Sequence, residues 1–307
     1  MRIVVHGQQA FGKAVLEALL DRGEDVVGVY CAPDREGRPE DPLKVFAREK
    51  GFEVHQPDSW KKEEVWEHLR SLEPDLCVMA YVTLFVPQTA LDIPKLGTIQ
   101  YHPSLLPLHR GPSSINWPII MGRKETGLTI FWPDEGLDEG PILLQKKVEI
   151  EPDDTLGTVY FNKLFPLGVE AMCEAVDLVR EGKAPRIEQD HSKATYESWC
   201  RKKDVGIDWS KPVQEVHNLI RGADPSPGAW TMHGDTQLSL FGSTIVEGSG
   251  EPGEVLAIDE NGMTIAANGG AVRVSRVQVP KEKKIAAKEY ADAVGLTPGT
   301  KLGQGAA

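Results

Sequence analysis

Residues 2–30 read RIVVHGQQAFGKAVLEALLDRGEDVVGVY, and this stretch decides the fold class. Ile3, Val4 and Val5 make a short strand-like run that ends at His6 and Gly7. Phe11, Val15, Leu16, Leu19 and Leu20 then recur at helical spacing, so an amphipathic helix follows. Val26 to Tyr30 is a second apolar strand. The alternation continues outward. Asp41-Pro42 reads as an N-cap with proline at the first helical position, and Leu43, Phe46 and Ala47 carry that helix on. Leu76 to Tyr81 and Gly97 to Tyr101 are further strands, and Thr155 to Glu181 is a long helical stretch interrupted at Pro166. Strands and helices in alternation predict an α/β fold: a mostly parallel sheet with crossover helices.

The texture changes after about Pro185. Residues 186–203 are polar, and a helix is expected from Pro212 to Ile220. Short strands follow at Gln237–Phe241, Gly253–Ala257, Met263–Ala267 and Val272–Val279, separated by turn residues such as Asn268-Gly269-Gly270. That pattern predicts a small sandwich or barrel. The KEKK run, Lys281 to Lys284, reads as a solvated turn, and Gly303 to Ala307 as a frayed tail.

Among 307 residues, 40% are hydrophobic and 26% charged, as in ordinary globular proteins. Apolar runs all fall well short of the roughly 18 residues needed to cross a bilayer. The first residues enter a strand with no signal-peptide pattern, so a cytoplasmic protein is expected. Cys31, Cys77, Cys173 and Cys200 are too scattered for a metal motif and read as free thiols; no metal is expected. The net charge is −12. Residues 201–307 carry 12 basic and 13 acidic side chains, which leaves −11 on the first 200. Such a surface is a poor match for a polyanion.

The chemistry concentrates between Gly97 and Gln145. A strand ends in Gln100, Tyr101 and His102, and a proline-bounded loop follows. A second apolar run, Leu128 to Trp132, opens into PDEGLDEG, which carries Asp138. A His and an Asp thus each sit just past a strand, where open α/β sheets place reactive groups. A neutral His with a nearby carboxylate is a proton-transfer pair. Gly7 and Gly12 lack the middle glycine of a dinucleotide fingerprint and read as a tight strand-to-helix turn. Ser104 has no nucleophile elbow around it. Arg110 reads as a loop holder that bonds backbone carbonyls, with contact to an anionic ligand as the second reading.

The segments YHPSLLPLHRGPSSINW (101–117), TIFWPDEGLDEGPILLQK (129–146) and IDWSKPVQEVHNLIRGADPSPGAW (207–230) resemble the formyltransferase family that includes methionyl-tRNA formyltransferase. VVHGQQAFG (4–12) and EGKAPRIEQ (181–189) agree. The chain is most similar to the branch formed by the amino-terminal hydrolase domain of 10-formyltetrahydrofolate dehydrogenase. The resemblance implies a Rossmann-like catalytic domain over 1–190, a linker over 191–205 and an OB-like β-barrel domain over 206–307. It implies 10-formyltetrahydrofolate as formyl donor, released as tetrahydrofolate, with His102 and Asp138 catalytic. It implies a folate pocket lined by Met79, Ala80, Tyr81, Leu84, Phe85, Val86, Pro87, Trp132, Pro133, Asp134 and Gly136, with the pterin read through backbone hydrogen bonds.

Formyl transfer suits these residue types. Attack on the formyl carbon creates an oxyanion, which needs positioned donors. The nucleophile loses a proton and the N10 leaving group gains one. An ionised Asp138 would orient His102, which donates or shuttles the proton. The family's usual third residue is an Asn two positions before the His; here it is Gln100, with the same amide on a longer stem. That departure nudges the acceptor from a bulky amine towards water. Glu139 stands where Thr is common, and little is expected of it. The tRNA-specific members resemble one another in a longer basic insertion, whereas residues 32–44, APDREGRPEDPLK, are short and of mixed charge. The LTPGTKL ending (296–302) resembles tRNA-type members instead. A tRNA acceptor therefore ranks below water or another amine. A folate-binding module without turnover is the reading of another class.

Overall fold

The first strand, β1 (Arg2–Gly7), is buried along almost its whole length, with Ile3, Val4 and Val5 fully covered. The computed structural model describes residues 1–303. The chain continues through α1 (Gln9–Asp21), β2 (Asp25–Cys31), α2 (Pro42–Glu49), β3 (Val54–His55), α3 (Glu63–Ser71), β4 (Leu76–Ala80), α4 (Gln88–Leu91), β5 (Thr98–His102), α5 (Asn116–Ile120), β6 (Glu125–Phe131) and β7 (Ile142–Glu149). The sheet order is β3-β2-β1-β4-β5-β6-β7. The five strands from β3 to β5 are parallel, as the alternation of strand and helix predicts. β6 is antiparallel to β5, with Gln100 opposite Phe131 and His102 opposite Thr129.

Side-chain chemistry sets the local starts and stops. The helix α1 buries Phe11, Val15, Leu16 and Leu19, each worth about 1.5–3 kcal/mol when removed from water. Asp41 caps α2 by accepting from the Leu43 amide, with Pro42 in the first turn. The long helical stretch is a short α6 (Leu156–Thr158), a π-helical run (Val159–Leu164) and α7 (Phe165–Arg180). Pro166 comes directly after the π-helical run, in the first turn of α7, and the helix changes pitch there without breaking.

The chain divides into two compact units. One comprises residues 1–110, 127–147 and 163–196; the other takes 111–126, 148–162 and the chain from Glu197 onward. The second unit holds α8 (Val213–Gly222), β8 (Trp230–His233), β9 (Thr236–Val246), β10 (Val255–Asp259), β11 (Gly262–Ala267), β12 (Gly270–Gln278), β13 (Ile285–Ala286) and α9 (Ala287–Val294). Its antiparallel sheet runs β10-β11-β12-β9-β8, with β13 on β12. Trp209, Leu238, Leu240, Ile265, Val272 and Val274 fill the interior.

Residues 299–303 join the two ends of that path. The Val255 amide donates to the Thr300 carbonyl and Leu302 to Gly253, while Gly303 and Met232 exchange hydrogen bonds in both directions. The sheet thereby closes into a small barrel. Gly303 is held, contrary to the expected fraying, because its amide and carbonyl complete the ladder beside β8; residues 304–307 lie outside the described residues. Lys284 also departs from the solvated-turn reading. Its ammonium lies 3.4 Å from the centroid of the Phe241 ring and is only partly exposed.

All four cysteines are free and buried, and burial pushes the Cys77 thiol up to about 12 and that of Cys200 to about 11. Among the described residues, no helix is long and apolar enough to cross a membrane, and no three His, Cys, Asp or Glu side chains are grouped to hold a metal ion.

Candidate active site

Alternation along β5 puts Gln100 and His102 on one face and Tyr101 on the other. Tyr101 packs on Phe11, ring centroids 4.2 Å apart. Gln100 is half-buried, and its amide is not hydrogen-bonded to any described residue. His102 ends the strand and is buried.

The loop after His102 is braced from within. Thr129 on β6 donates to the Ser104 carbonyl (2.7 Å) and accepts from the Leu106 amide (3.1 Å). Gln145 donates to the Leu106 carbonyl at 2.8 Å. Ser104 is fully buried and donates to the Leu108 carbonyl at 2.6 Å, so its hydroxyl braces the loop and is no nucleophile. The loop returns the His109 carbonyl to 2.9 Å from His102 Nε2. A carbonyl oxygen only accepts, so Nε2 carries hydrogen. The other ring nitrogen, Nδ1, faces Asp138 Oδ2 at 3.6 Å. That distance is too long for a hydrogen bond. Each of the two side chains is 8% exposed.

Asp138 reaches this position by an indirect route. Because β6 is antiparallel to β5, its carboxyl end lies beside Gln100 and the first half of β5. The loop from Trp132 to Pro141 must fold back over the strand to bring Asp138 to His102. Glycine at 140 permits the fold-back, since a Cβ there would sit 1.8 Å from the Trp132 carbonyl oxygen. Asp138 itself adopts a left-handed backbone (φ 56°), as do His109 (φ 56°) and Tyr81 (φ 64°). Three of the seven non-glycine residues with positive φ among the described residues thus lie in the candidate site, where the backbone is held by its surroundings.

Two side chains tie the loops together. Gln189 Nε2 donates to the carbonyls of Asp138 (2.9 Å) and Gly140 (2.7 Å). Its Oε1 accepts from Arg110 Nε (3.2 Å) and Nη2 (2.7 Å). Arg110, 1% exposed, also hydrogen-bonds the Tyr196 hydroxyl and donates to His191 Nδ1 at 3.2 Å. The Tyr196 hydroxyl donates to Glu139 at 2.5 Å, which raises its pKa, and Glu139 pairs with Arg110 at 3.7 Å. Arg110 does hold its loop, through side chains where carbonyls were expected. Glu139 contributes the countercharge of a buried guanidinium, more than the sequence reading gave it. Gln189 and Tyr196 carry little signal in the sequence beyond the IEQ of the 181–189 segment.

The residues expected around folate fall into two groups. Met79, Ala80 and Val86 are buried, with Met79 and Val86 in a cluster that includes Val4, Tyr30 and Trp60. They can offer a ligand only backbone groups. Leu84 packs against the same cluster and Pro87 caps α4, while Tyr81 and Phe85 are exposed. On the second loop Trp132 is buried, donates to the Pro185 carbonyl at 2.9 Å and stacks under the Arg186 guanidinium at 3.9 Å. Pro133, Asp134 and Gly136 are half-buried, and Asp134 accepts from the Gly136 amide at 2.9 Å.

The Gly7 turn is closed to a phosphate. The Asp41 carboxylate accepts from the Gln9 amide at 2.8 and 2.9 Å, and so occupies the anion position at the start of α1. A Cβ at Gly7 would lie 2.6 Å from the Ala80 carbonyl, so glycine there serves strand packing.

Residues 1–176 match the formyl transferase family model and residues 200–294 match the model of the formyl transferase C-terminal domain. The chain belongs to the formyl transferase family. Members of this family are enzymes that transfer formyl groups. The cytosolic 10-formyltetrahydrofolate dehydrogenase of Xenopus tropicalis is 42% identical over 94% of this chain, which covers 34% of that relative. The chain thus spans about a third of the length of the dehydrogenases it matches. The methionyl-tRNA formyltransferase of Geotalea uraniireducens is 38% identical over 99% of this chain and 98% of its own length. Among solved structures, HypX from Aquifex aeolicus in complex with tetrahydrofolic acid shares the fold, with a TM-score of 0.69 at 21% identity over 95% of this chain and 47% of that one. The sugar 3N-formyl transferase WlaRD shares it too, with a TM-score of 0.68 at 18% identity over 92% and 99%.

Proposed function

We propose that this formyl transferase takes the formyl group of 10-formyltetrahydrofolate and passes it to water or an amine, releasing tetrahydrofolate. The observation that carries this reading is the buried pair of His102 and Asp138, with Nε2 engaged by a carbonyl and Nδ1 turned to the carboxylate. The dehydrogenase relatives at 42% identity support the folate donor. The backbone of Met79 to Pro87, with Tyr81, Phe85 and the Trp132 to Gly136 turn, would hold it. We assign the chemistry to residues 1–190, with 191–205 as linker and 206–307 as the accessory domain, in a cytoplasmic enzyme.

In the proposed reaction the nucleophile's oxygen or nitrogen bonds to the formyl carbon and the bond to N10 breaks. The nucleophile's proton moves to the His102 Nδ1–Asp138 couple and from there to N10. The Gln100 amide donates to the oxyanion that forms between these events. Fixing Nε2–H on the His109 carbonyl leaves Nδ1 as the nitrogen that exchanges the proton.

Water or a small amine is favoured over tRNA by the −11 charge of the first 200 residues and the mixed charge of residues 32–44. The tRNA reading rests on the relative from Geotalea, which this chain matches end to end. The LTPGTKL segment does not add to it, since that run has a sufficient role in closing the barrel. Tetrahydrofolate release is measured with no acceptor, then with charged initiator methionyl-tRNA. Release in water alone supports a hydrolase; release only with the tRNA assigns the acceptor to translation initiation. No release in either rejects both acceptors and favours another amine or a folate-binding module.

A further inference from the structure

We infer that Gln189 is a positioning residue that sets the His102–Asp138 geometry, with Arg110 and Tyr196 as its anchor. The inference rests on the reading of His102 and Asp138 as the reacting pair. Those two side chains lie on different loops, and Nδ1 and Oδ2 stand 3.6 Å apart, beyond hydrogen-bond distance. Their separation therefore depends on how the two loop backbones are held.

Gln189 holds them geometrically. Its amide uses both N–H groups on the Asp138 loop, at the carbonyls of Asp138 and Gly140. Its oxygen takes two N–H groups of Arg110, which directly follows the residue whose carbonyl orients His102. One buried side chain therefore links the backbone that carries Asp138 to the backbone that orients the imidazole. Arg110 is itself held by the Tyr196 hydroxyl and by the charge of Glu139. Asp138 and His109 both have left-handed backbones, which relax when not constrained. An amide with two donors and one acceptor is the side chain that fits, because two carbonyls face it on one side and a guanidinium on the other.

Gln189→Glu is the test. The carboxylate keeps the acceptor towards Arg110 but turns an oxygen on two carbonyls; once protonated, it regains one donor. At pH 8 kcat falls at least about tenfold with KM for the folate within about twofold, in the range seen when outer-shell partners are lost. The deficit shrinks as the pH is lowered towards 5, a dependence that general loosening of the pocket does not produce. The 15N chemical shift of the His102 ring, followed through a pH titration, moves its midpoint relative to wild type; this readout needs no turnover. Wild-type kcat, pH profile and His102 titration in a folded Gln189→Glu protein would overturn the inference. Wild-type protein that releases no tetrahydrofolate with any acceptor counts against the parent reading alone, and the His102 titration then decides this one. Should Gln189→Glu not fold, Tyr196→Phe at the exposed end of the anchor is read the same way. A two- to fivefold loss of kcat with a moved His102 midpoint supports the inference, and no change in either rejects it.

Discussion

Two places at the carboxyl ends of one sheet use similar side chains to opposite ends. At the close of β1, His6 is buried among rings, 4.5 Å from Trp60 and 6.4 Å from Tyr30 between centroids, and burial lowers its pKa to about 3. The Asp41 carboxylate, at the start of α2, is spent on the backbone amides of Gln9 and Leu43. At the close of β5, His102 and Asp138 face each other with no normal hydrogen bond between them, while Gln100 has its amide uncommitted among the described residues. Burial alone does not separate the two places, since both histidines are buried. What separates them is what the ring faces: His6 packs against Trp60 and Tyr30, whereas His102 turns Nδ1 towards a carboxylate. A buried His becomes half of a candidate reacting pair when the fold aims a ring nitrogen at an acid.

That contrast breaks most visibly at His102. His102→Ala lowers tetrahydrofolate release by about 10³- to 10⁴-fold, the upper range for a general acid–base group, with a melting temperature within a few degrees of wild type. Full turnover in that variant would remove the pair from the mechanism. Asp138→Asn keeps the shape and loses the charge; release falls about 10²- to 10³-fold, read in the same assay.

His6 gives a smaller effect, on stability. Its folded pKa lies below the ordinary 6.5, so the unfolded chain binds the extra proton. The contribution is complete above about pH 6.5 and is lost as the pH falls towards 3, by up to about 1.4 kcal/mol per pH unit. Urea unfolding at pH 7 and pH 5 should show wild type losing about 2 kcal/mol more than His6→Leu over that interval. Parallel losses in the two proteins would place the acid sensitivity elsewhere, for example at His55 or His217, which burial also lowers.

The smallest effect is at Asp41. Asp41→Ala removes the cap of α2 and costs about 1 kcal/mol. It also vacates the anion position at α1, so sulfate then raises the melting temperature of the variant more than that of wild type. Equal sulfate responses would mean that Asp41 does not close that position.

The legible and illegible parts of the molecule divide along physical lines. β1, β2, β4 and β5 could be read because buried parallel strands are continuous apolar runs. His102 and Asp138 could be read because a fixed motif carries them. The antiparallel sense of β6 could not, since an apolar run looks the same in either direction. Nor could the fold-back that brings Asp138 to His102, which depends on space at Gly140. Two-residue β3 and half-polar β7 were too short or too mixed to register. Gln189 and Tyr196 lie in a polar stretch read as the edge of a linker, where composition gives no hint that a guanidinium is buried against them.

The run 299–303 has a consequence for how the protein is made. While a ribosome is still covering those residues, β10 and the Met232 end of β8 lack their partners, and the amides and carbonyls that 299–303 would meet stand unpaired. The second unit thus finishes only after release of the segment that seals it, and nascent chains waiting in that condition are the ones most exposed to edge-to-edge pairing with one another.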